Sequence, residues 1–249
     1  MHNNKYKIFR SGLMLLVLLS VLSCKKETEM LDESTFGYDF FPVATGKSWT
    51  YASDSIIYDN GGAKRDTFRS FIREEIGEKF LDEEGRTVFK VYRFFRRNQN
   101  DAWTRINTWT TDVDSSRAIR TEENLKFVKL VFPVKKGLRW DGNIFIDEDL
   151  RIEVAGESIE PYKNWKHRME EIDEVYTYKG AGIPSIRVNL VDDSSIIDRR
   201  KVTEYYGKGL GLVRKEMMIL DSDGSKPGDP WEQKAQKGFI HTLTLIDHN

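Results

Sequence analysis

From Trp49 onward, apolar residues recur mainly with a period of two, the spacing of strands with one buried face. SWTYASDSIIYD is strand-like on both sides of a polar centre, and in TFRSFIREEIG the residues Phe68, Ser70 and Ile72 alternate with Arg69, Phe71 and Arg73. TVFKVYRFFRR and AWTRINTWTT are β-branched and aromatic, types that fit a pleated, half-buried surface. RAIRT follows, then LKFVKLVFP, which Pro133 stops. HRMEEIDEVYTYKG, PSIRVNLVDD, RRKVTEYYGKGLGLVRKEMMILD and GFIHTLTLID complete the set. Turn signals separate these runs: Asn60-Gly61, DEEGR, NQND, DVDSS and the Pro/Gly-rich SDGSKPGDPWEQK. Residues 135–165 are less regular, and 147–164 read as a short helix or an irregular excursion.

The pattern predicts an all-β fold of about ten strands with little helix, mainly antiparallel because the connections are short. Several strands carry apolar side chains on both faces. An open sheet would leave one of those faces wet, so the sheet is expected to curl strongly, into a barrel or a sandwich. No long structureless linker follows Tyr38, so residues 39–249 read as a single β domain.

The N-terminus has a different pattern. Lys5, Lys7 and Arg10 precede an apolar run from Gly12 to Leu22. That run is about half of the roughly twenty residues a bilayer span requires, and it has the proportions of a secretory signal peptide over residues 1–23. Val21-Leu22-Ser23-Cys24 resembles the bacterial lipobox. This resemblance implies cleavage between Ser23 and Cys24, a diacylglycerol on the Cys24 thiol and acylation of the new amine. Two or more acyl chains give the stable membrane attachment that one does not. Lys25-Lys26-Glu27-Thr28-Glu29 resembles the surface-export signal of Bacteroidota lipoproteins, and it also suits a solvated tether over residues 24–38. The expected location is the bacterial outer membrane, either surface-exposed or facing the periplasm.

Composition narrows the partners. Without residues 1–23 the chain carries 36 Lys+Arg against 40 Asp+Glu. A mildly acidic chain with mixed signs is a poor electrostatic match for nucleic acid. Cys24 is the only cysteine, so no disulfide can form within the chain, and stability falls to a core rich in aromatics (12% of residues).

Four stretches, FPVATGKSWTY, LRWDGN, SSIIDRRKVTEYYGKGLGLVRKE and HTLTLIDHN, together resemble an uncharacterised family of Bacteroidota outer-membrane lipoproteins. Phe41, Pro42, Gly46, Trp49 and Tyr51 match the family's opening stretch. Tyr206 to Val213 match its late glycine-rich stretch, with Gly207 where alanine is usual. The resemblance covers most of residues 38–249. It implies a lipid anchor and a β fold, and it brings no activity with it.

Motifs for chemistry are excluded one by one. Gly46-Lys47-Ser48 ends like a phosphate-binding loop, but the required first glycine is Phe41, and Pro42 has no amide hydrogen to donate. A strand pattern follows where a helix is needed, so no nucleotide is expected and Gly46 reads as a turn. Gly207-x-Gly209-x-Gly211 has the wrong spacing for a dinucleotide loop and reads as a bend between strands. Asp221 and Asp223 lack the further oxygens and the sixth-position glycine of a calcium loop. His2, His167, His241 and His248 are scattered. The acidic pairs Glu74-Glu75, Glu83-Glu84, Glu170-Glu171 and Asp192-Asp193 point to opposite faces of a strand and read as solvated turns and edges. No metal, cofactor or catalytic residue is assigned.

One group remains. Trp103, Arg105, Asn107 and Trp109 would share a face of an extended strand. Flat aromatics beside hydrogen-bonding groups suit a sugar or a peptide. The same residues would also serve to cover the core, with Arg105 reaching water. Trp103, Arg105 and Trp109 are the candidate ligand contacts. The leading expectation is a non-enzymatic, lipid-anchored module that binds a glycan, peptide or protein. The alternatives are a carrier holding an apolar ligand in the curled sheet, and a hydrolase assembled from distant residues.

Overall fold

The computed structural model describes residues 35–249. The signal segment, Ser23, Cys24 and most of the expected tether lie outside them. Thr35 to Tyr38, the end of that tether, already belong to the fold: Val134 N donates to Phe36 O at 3.0 Å, and the Tyr38 ring meets Phe132 edge-on at 4.7 Å.

The strands run β1 (Ser48–Asp59), β2 (Lys64–Leu81), β3 (Thr87–Arg96), β4 (Thr104–Val113), β5 (Arg117–Glu122), β6 (Leu125–Val131) and β7 (Arg139–Trp140). After them come β8 (Ile152–Val154), β9 (Glu157–Ile159), β10 (His167–Tyr178), β11 (Ala181–Ser194), β12 (Asp198–Gly207), β13 (Gly211–Asp221) and β14 (Lys237–His248). Twelve of them form one sheet in the order β6-β5-β4-β3-β2-β1-β14-β13-β12-β11-β10-β7. Each half is a meander of antiparallel hairpins, and the pairing of β14 with β1 joins the halves. The sheet curls into a nearly closed, barrel-like form.

The turns use the residues that the sequence singles out. Asn60, Gly61 and Gly62 all have positive φ between β1 and β2. In DEEGR, Asp82 Oδ1 accepts from the amides of Glu84 and Arg86 at 3.0 and 2.9 Å. Gly209 and Gly211 have positive φ in the β12–β13 turn, and Gly46 turns the chain into β1, its amide donating to Ile76 O at 2.8 Å. The strand that begins at Ser48 removes the helix that a phosphate-binding loop would need.

The irregular stretch holds no helix of its own beyond turns. Instead β8 and β9 pair as a small hairpin across Ala155-Gly156, both with positive φ. The elements β7, β8 and β9, two or three residues each, are too short to show a period, which is why the strand count reads low from sequence. Ile159, Tyr162 and Trp165 from this stretch pack with Leu130, Met169, Ile186, Val188 and Val202, filling one part of the interior with apolar side chains. A second cluster, around Trp49, Tyr51, Ile72, Val91 and Leu243, packs under the strands of the β1–β14 join.

The two free edges meet at one seam. Val128 N on β6 donates to Gly142 O just beyond β7 at 2.9 Å, and Trp140 Nε1 donates to Val128 O at 2.9 Å. Gly142 lies against the buried His167 ring, which packs between Trp140 and Trp165. A Cβ at Gly142 would sit 2.2 Å from His167 Nε2. Gly142→Ala should therefore lower unfolding stability by about 1–3 kcal/mol, the usual cost of overfilling a packed core. Urea unfolding of the variant checks this, and an unchanged midpoint would show that the seam is not tightly packed.

Candidate functional site

A cavity of about 260 Å³ opens into the barrel between the two apolar clusters. Its walls come from nearly every part of the sheet: Tyr51 from β1, Glu74 from β2, Arg93 from β3, Trp109 from β4, Arg120 and Glu122 from β5, and Lys129 from β6. From the second half come Glu204 and Tyr206 on β12, Lys215 and Met217 on β13, and His241 and Leu243 on β14. Phe41 and Pro42, which precede β1, lie along it as well.

The interior charges are arranged in two groups. Lys129 Nζ donates to Glu204 Oε1 at 2.6 Å and lies 3.5 Å from Glu122 Oε1, while Lys215 Nζ lies 3.3 Å from Glu204 Oε1. The Tyr206 hydroxyl donates to the other Glu204 oxygen. Glu204 is fully buried. Burial alone would raise its carboxyl, but Lys129, Lys215 and the hydrogen bonds from Lys129 and Tyr206 outweigh burial and hold it well below the usual carboxylate range. Burial alone would lower the Lys129 ammonium, and Glu122 and Glu204 hold it above its ordinary value instead. In the second group, Arg120 Nη1 donates to Glu74 Oε2 at 2.8 Å and Arg93 Nε to Glu74 Oε1 at 3.2 Å. Arg93 also stacks on Trp109, 3.6 Å from the ring centroid, and Trp109 Nε1 donates to Glu123 Oε1 at 3.2 Å.

A β-bulge places Lys129 inside. Ala118 pairs with Leu130 and Ile119 with Val128, so Lys129 is the extra residue of β6 and its side chain turns into the barrel. A second bulge divides the aromatic group expected on β4. Arg93 pairs with Asn107 and Phe94 with Arg105, leaving Ile106 unpaired. The extra residue reverses the alternation. Trp109 faces the cavity, whereas Arg105 lies outside against Tyr92, 4.0 Å from the ring centroid, with its guanidinium donating to Thr108 Oγ1. Trp103 is outside too, with Arg96 and Arg73 at 4.3 and 5.2 Å from its ring. The four residues thus do not share a face, because strict alternation holds only where the register is unbroken.

Glu74 is a second difference. The Glu74-Glu75 pair does split across the sheet, but Glu74 is 4% exposed and faces the cavity instead of lying on a solvated edge. His167 is buried and His241 half-buried, while Asp221 pairs with Arg200 at 2.7 Å and Asp223 caps a turn through the Ser225 amide. Among the described residues no group of three or more His, Cys, Asp and Glu is placed to hold a metal ion, and no helix is long and apolar enough to cross a membrane. The interior charges left a faint trace in the sequence: Glu204 stands between Val202 and Tyr206 at inward positions, and Lys129 interrupts the apolar run of β6.

No family model matches the chain, and no curated protein matches it. Among solved structures it resembles a candidate lipoprotein from Parabacteroides distasonis ATCC 8503, at 12% identity and a TM-score of 0.39 over 86% of this chain and 99% of that one. It also resembles a candidate exported protein with a YmcC-like fold from Bacteroides fragilis NCTC 9343, at 11% identity and a TM-score of 0.37 over 84% and 98%. A DUF1329 family protein from Desulfovibrio piger ATCC 29098 follows at 11% identity and a TM-score of 0.18, over 83% and 86%. Likeness at this level assigns no function.

His167 and His241 make stability depend on pH. Burial, reinforced by Lys215 and Arg93 and opposed by Asp54, lowers His241 to about 4, and burial lowers His167 to about 3. Both stay neutral in the fold while the unfolded chain protonates them below about 6.5. The unfolded state then binds more protons, so stability falls as pH drops from 6.5 toward 4, by about 1.4 kcal/mol per pH unit for each histidine. Urea unfolding between pH 7 and 5, above the range where carboxylates protonate, should show this slope, and His241→Gln should roughly halve it. A flat profile over that range would contradict the neutral state of both rings.

Proposed function

We propose that this protein is a lipid-anchored protein of the bacterial cell envelope that holds a small amphipathic molecule inside its barrel. The cavity carries the reading. It is a concave site of about 260 Å³ whose lining joins aromatic and aliphatic surface to a converging set of charged groups, a make-up that suits a small amphipathic ligand. It favours the carrier alternative over a module acting only through its outer surface. Trp109 is the ligand contact among the three candidates, and Trp103 and Arg105 are assigned to the outer face.

The anchor rests on the lipobox-like sequence before Cys24 and on the absence of any other cysteine. It puts the barrel at the outer membrane, surface-exposed or facing the periplasm. Metabolic labelling with a fatty acid should mark the wild-type protein and fail to mark Cys24→Ala. Label that persists in the variant would remove the anchor from the reading.

The cavity is tested separately. Octan-1-ol, a neutral amphiphile of suitable size, should bind in isothermal titration, and Trp109→Ala should weaken it about tenfold by removing one aromatic wall of the site. Trp103→Ala should leave the affinity unchanged. Equal losses in the two variants, or no binding to the wild-type protein, would count against a ligand inside the barrel.

A further inference from the structure

The charges inside the cavity do not cancel. Lys129 and Lys215 face Glu204 and Glu122, two cations with two carboxylates. Arg93 and Arg120 are ion-paired with Glu74, and Glu122 also acts on Arg120. The remaining acid in the lining, Glu123, is exposed on the β5–β6 turn, where water screens it. Among the well-buried lining groups, Arg93, Arg120, Lys129 and Lys215 thus face three carboxylates, Glu74, Glu122 and Glu204, and one positive charge is unmatched.

Arg120 is where it is least satisfied. A guanidinium has five N–H donors in a rigid fork. Among the described residues, Arg120 forms one donor hydrogen bond, Nη1 to Glu74, and its buried Nε finds no partner. The side chain is only 11% exposed, and its guanidinium lies 5.7 Å from the centroid of the Phe41 ring. Close by, Trp109, Leu212, Met217 and Leu243 line the same cavity with apolar surface.

Building on the cavity reading above, we propose that the ligand is a small amphipathic monocarboxylate whose carboxylate lies against Arg120 and whose apolar body lies along Trp109, Leu212, Met217 and Leu243. A planar, singly charged carboxylate matches both the guanidinium fork and the single unmatched charge. A phosphate would bring close to two charges and leave the site negative. A neutral amphiphile can accept a hydrogen bond from Arg120 and leaves its charge unmatched, and an ammonium adds repulsion. The volume holds about nine groups of water size, at roughly 30 Å³ each. That limits the ligand to an acid of medium chain length or a single-ring aromatic acid.

Isothermal titration of the purified protein at neutral pH with octanoate, octan-1-ol and octylammonium separates the cases. Octanoate should bind about tenfold or more tightly than octan-1-ol, a ratio within reach of one hydrogen bond to a charged group. Octylammonium should bind most weakly. Arg120→Gln should erase the octanoate advantage over octan-1-ol, while Arg120→Lys, which keeps the charge and loses the fork, should keep part of it. The three-ligand comparison on the wild-type protein stands even where a variant fails to fold. Octan-1-ol binding with no octanoate preference would overturn the carboxylate proposal and leave the cavity reading intact. A preference that persists in Arg120→Gln would remove Arg120 as the contact, and no binding by any of the three would overturn both readings.

Discussion

The contact between Lys129 and Glu204 crosses the interior of the barrel and joins its two halves. Lys129 comes from β6, the last strand of the first meander, and Glu204 from β12 in the second. Both charges lie at a depth where a charge needs a partner, and each has a second one in its own half, Glu122 for Lys129 and Lys215 for Glu204. Removing one partner of such a pair typically costs about 3–5 kcal/mol, because the other is left buried and uncompensated. Each meander already carries a pair on its inner face, Lys129 with Glu122 in the first and Glu204 with Lys215 in the second. Brought together, the two pairs merge into one network through the 2.6 Å contact of Lys129 with Glu204, and the sheet closes around it.

Closure places demands elsewhere. The β1–β14 pairing joins the first and last strands over ten register positions, so the chain cannot form the barrel until its two ends meet. The opposite seam is much thinner: one backbone hydrogen bond from Val128 to Gly142, supported by Trp140. Gly142 is glycine because the His167 ring occupies the space a side chain would need. Bulges adjust the wall locally, one turning Lys129 inward and another sending Arg105 and Trp103 outward. The cavity survives between the apolar packing of Ile159 and Trp165 and the cluster around Tyr51 and Leu243, because its charged lining resists collapse into an apolar core.

Most strands were legible in the sequence because period-two alternation and turn residues are local signals. The run at Phe68–Arg73 alternates as written, and DEEGR folds back through its own Asp82 side chain. Glu74 was half legible: alternation separates it from Glu75, but nothing local says which of the two faces is dry. The group at Trp103–Trp109 was misleading, because a bulge is a one-residue event that leaves the composition unchanged and reverses every side chain beyond it. The binding cavity was not legible at all, since its lining is drawn from positions as far apart as Phe41 and Leu243.

The sequence by itself determined the class of fold, the turn positions and the failure of the phosphate-loop motif, since backbone geometry and alternation depend on neighbours a few residues away. It also carried the lipobox-like pattern at Cys24, a linear signal that needs no fold to be read. Only the tertiary structure decided which way the sheet curled, which face became the interior, and which charges were buried together. Those outcomes depend on register and burial, which arise when strands distant in the chain pair and exclude water between them. The pairing of Arg93 and Arg120 with Glu74 is of this kind: three strands bring two guanidiniums to one carboxylate.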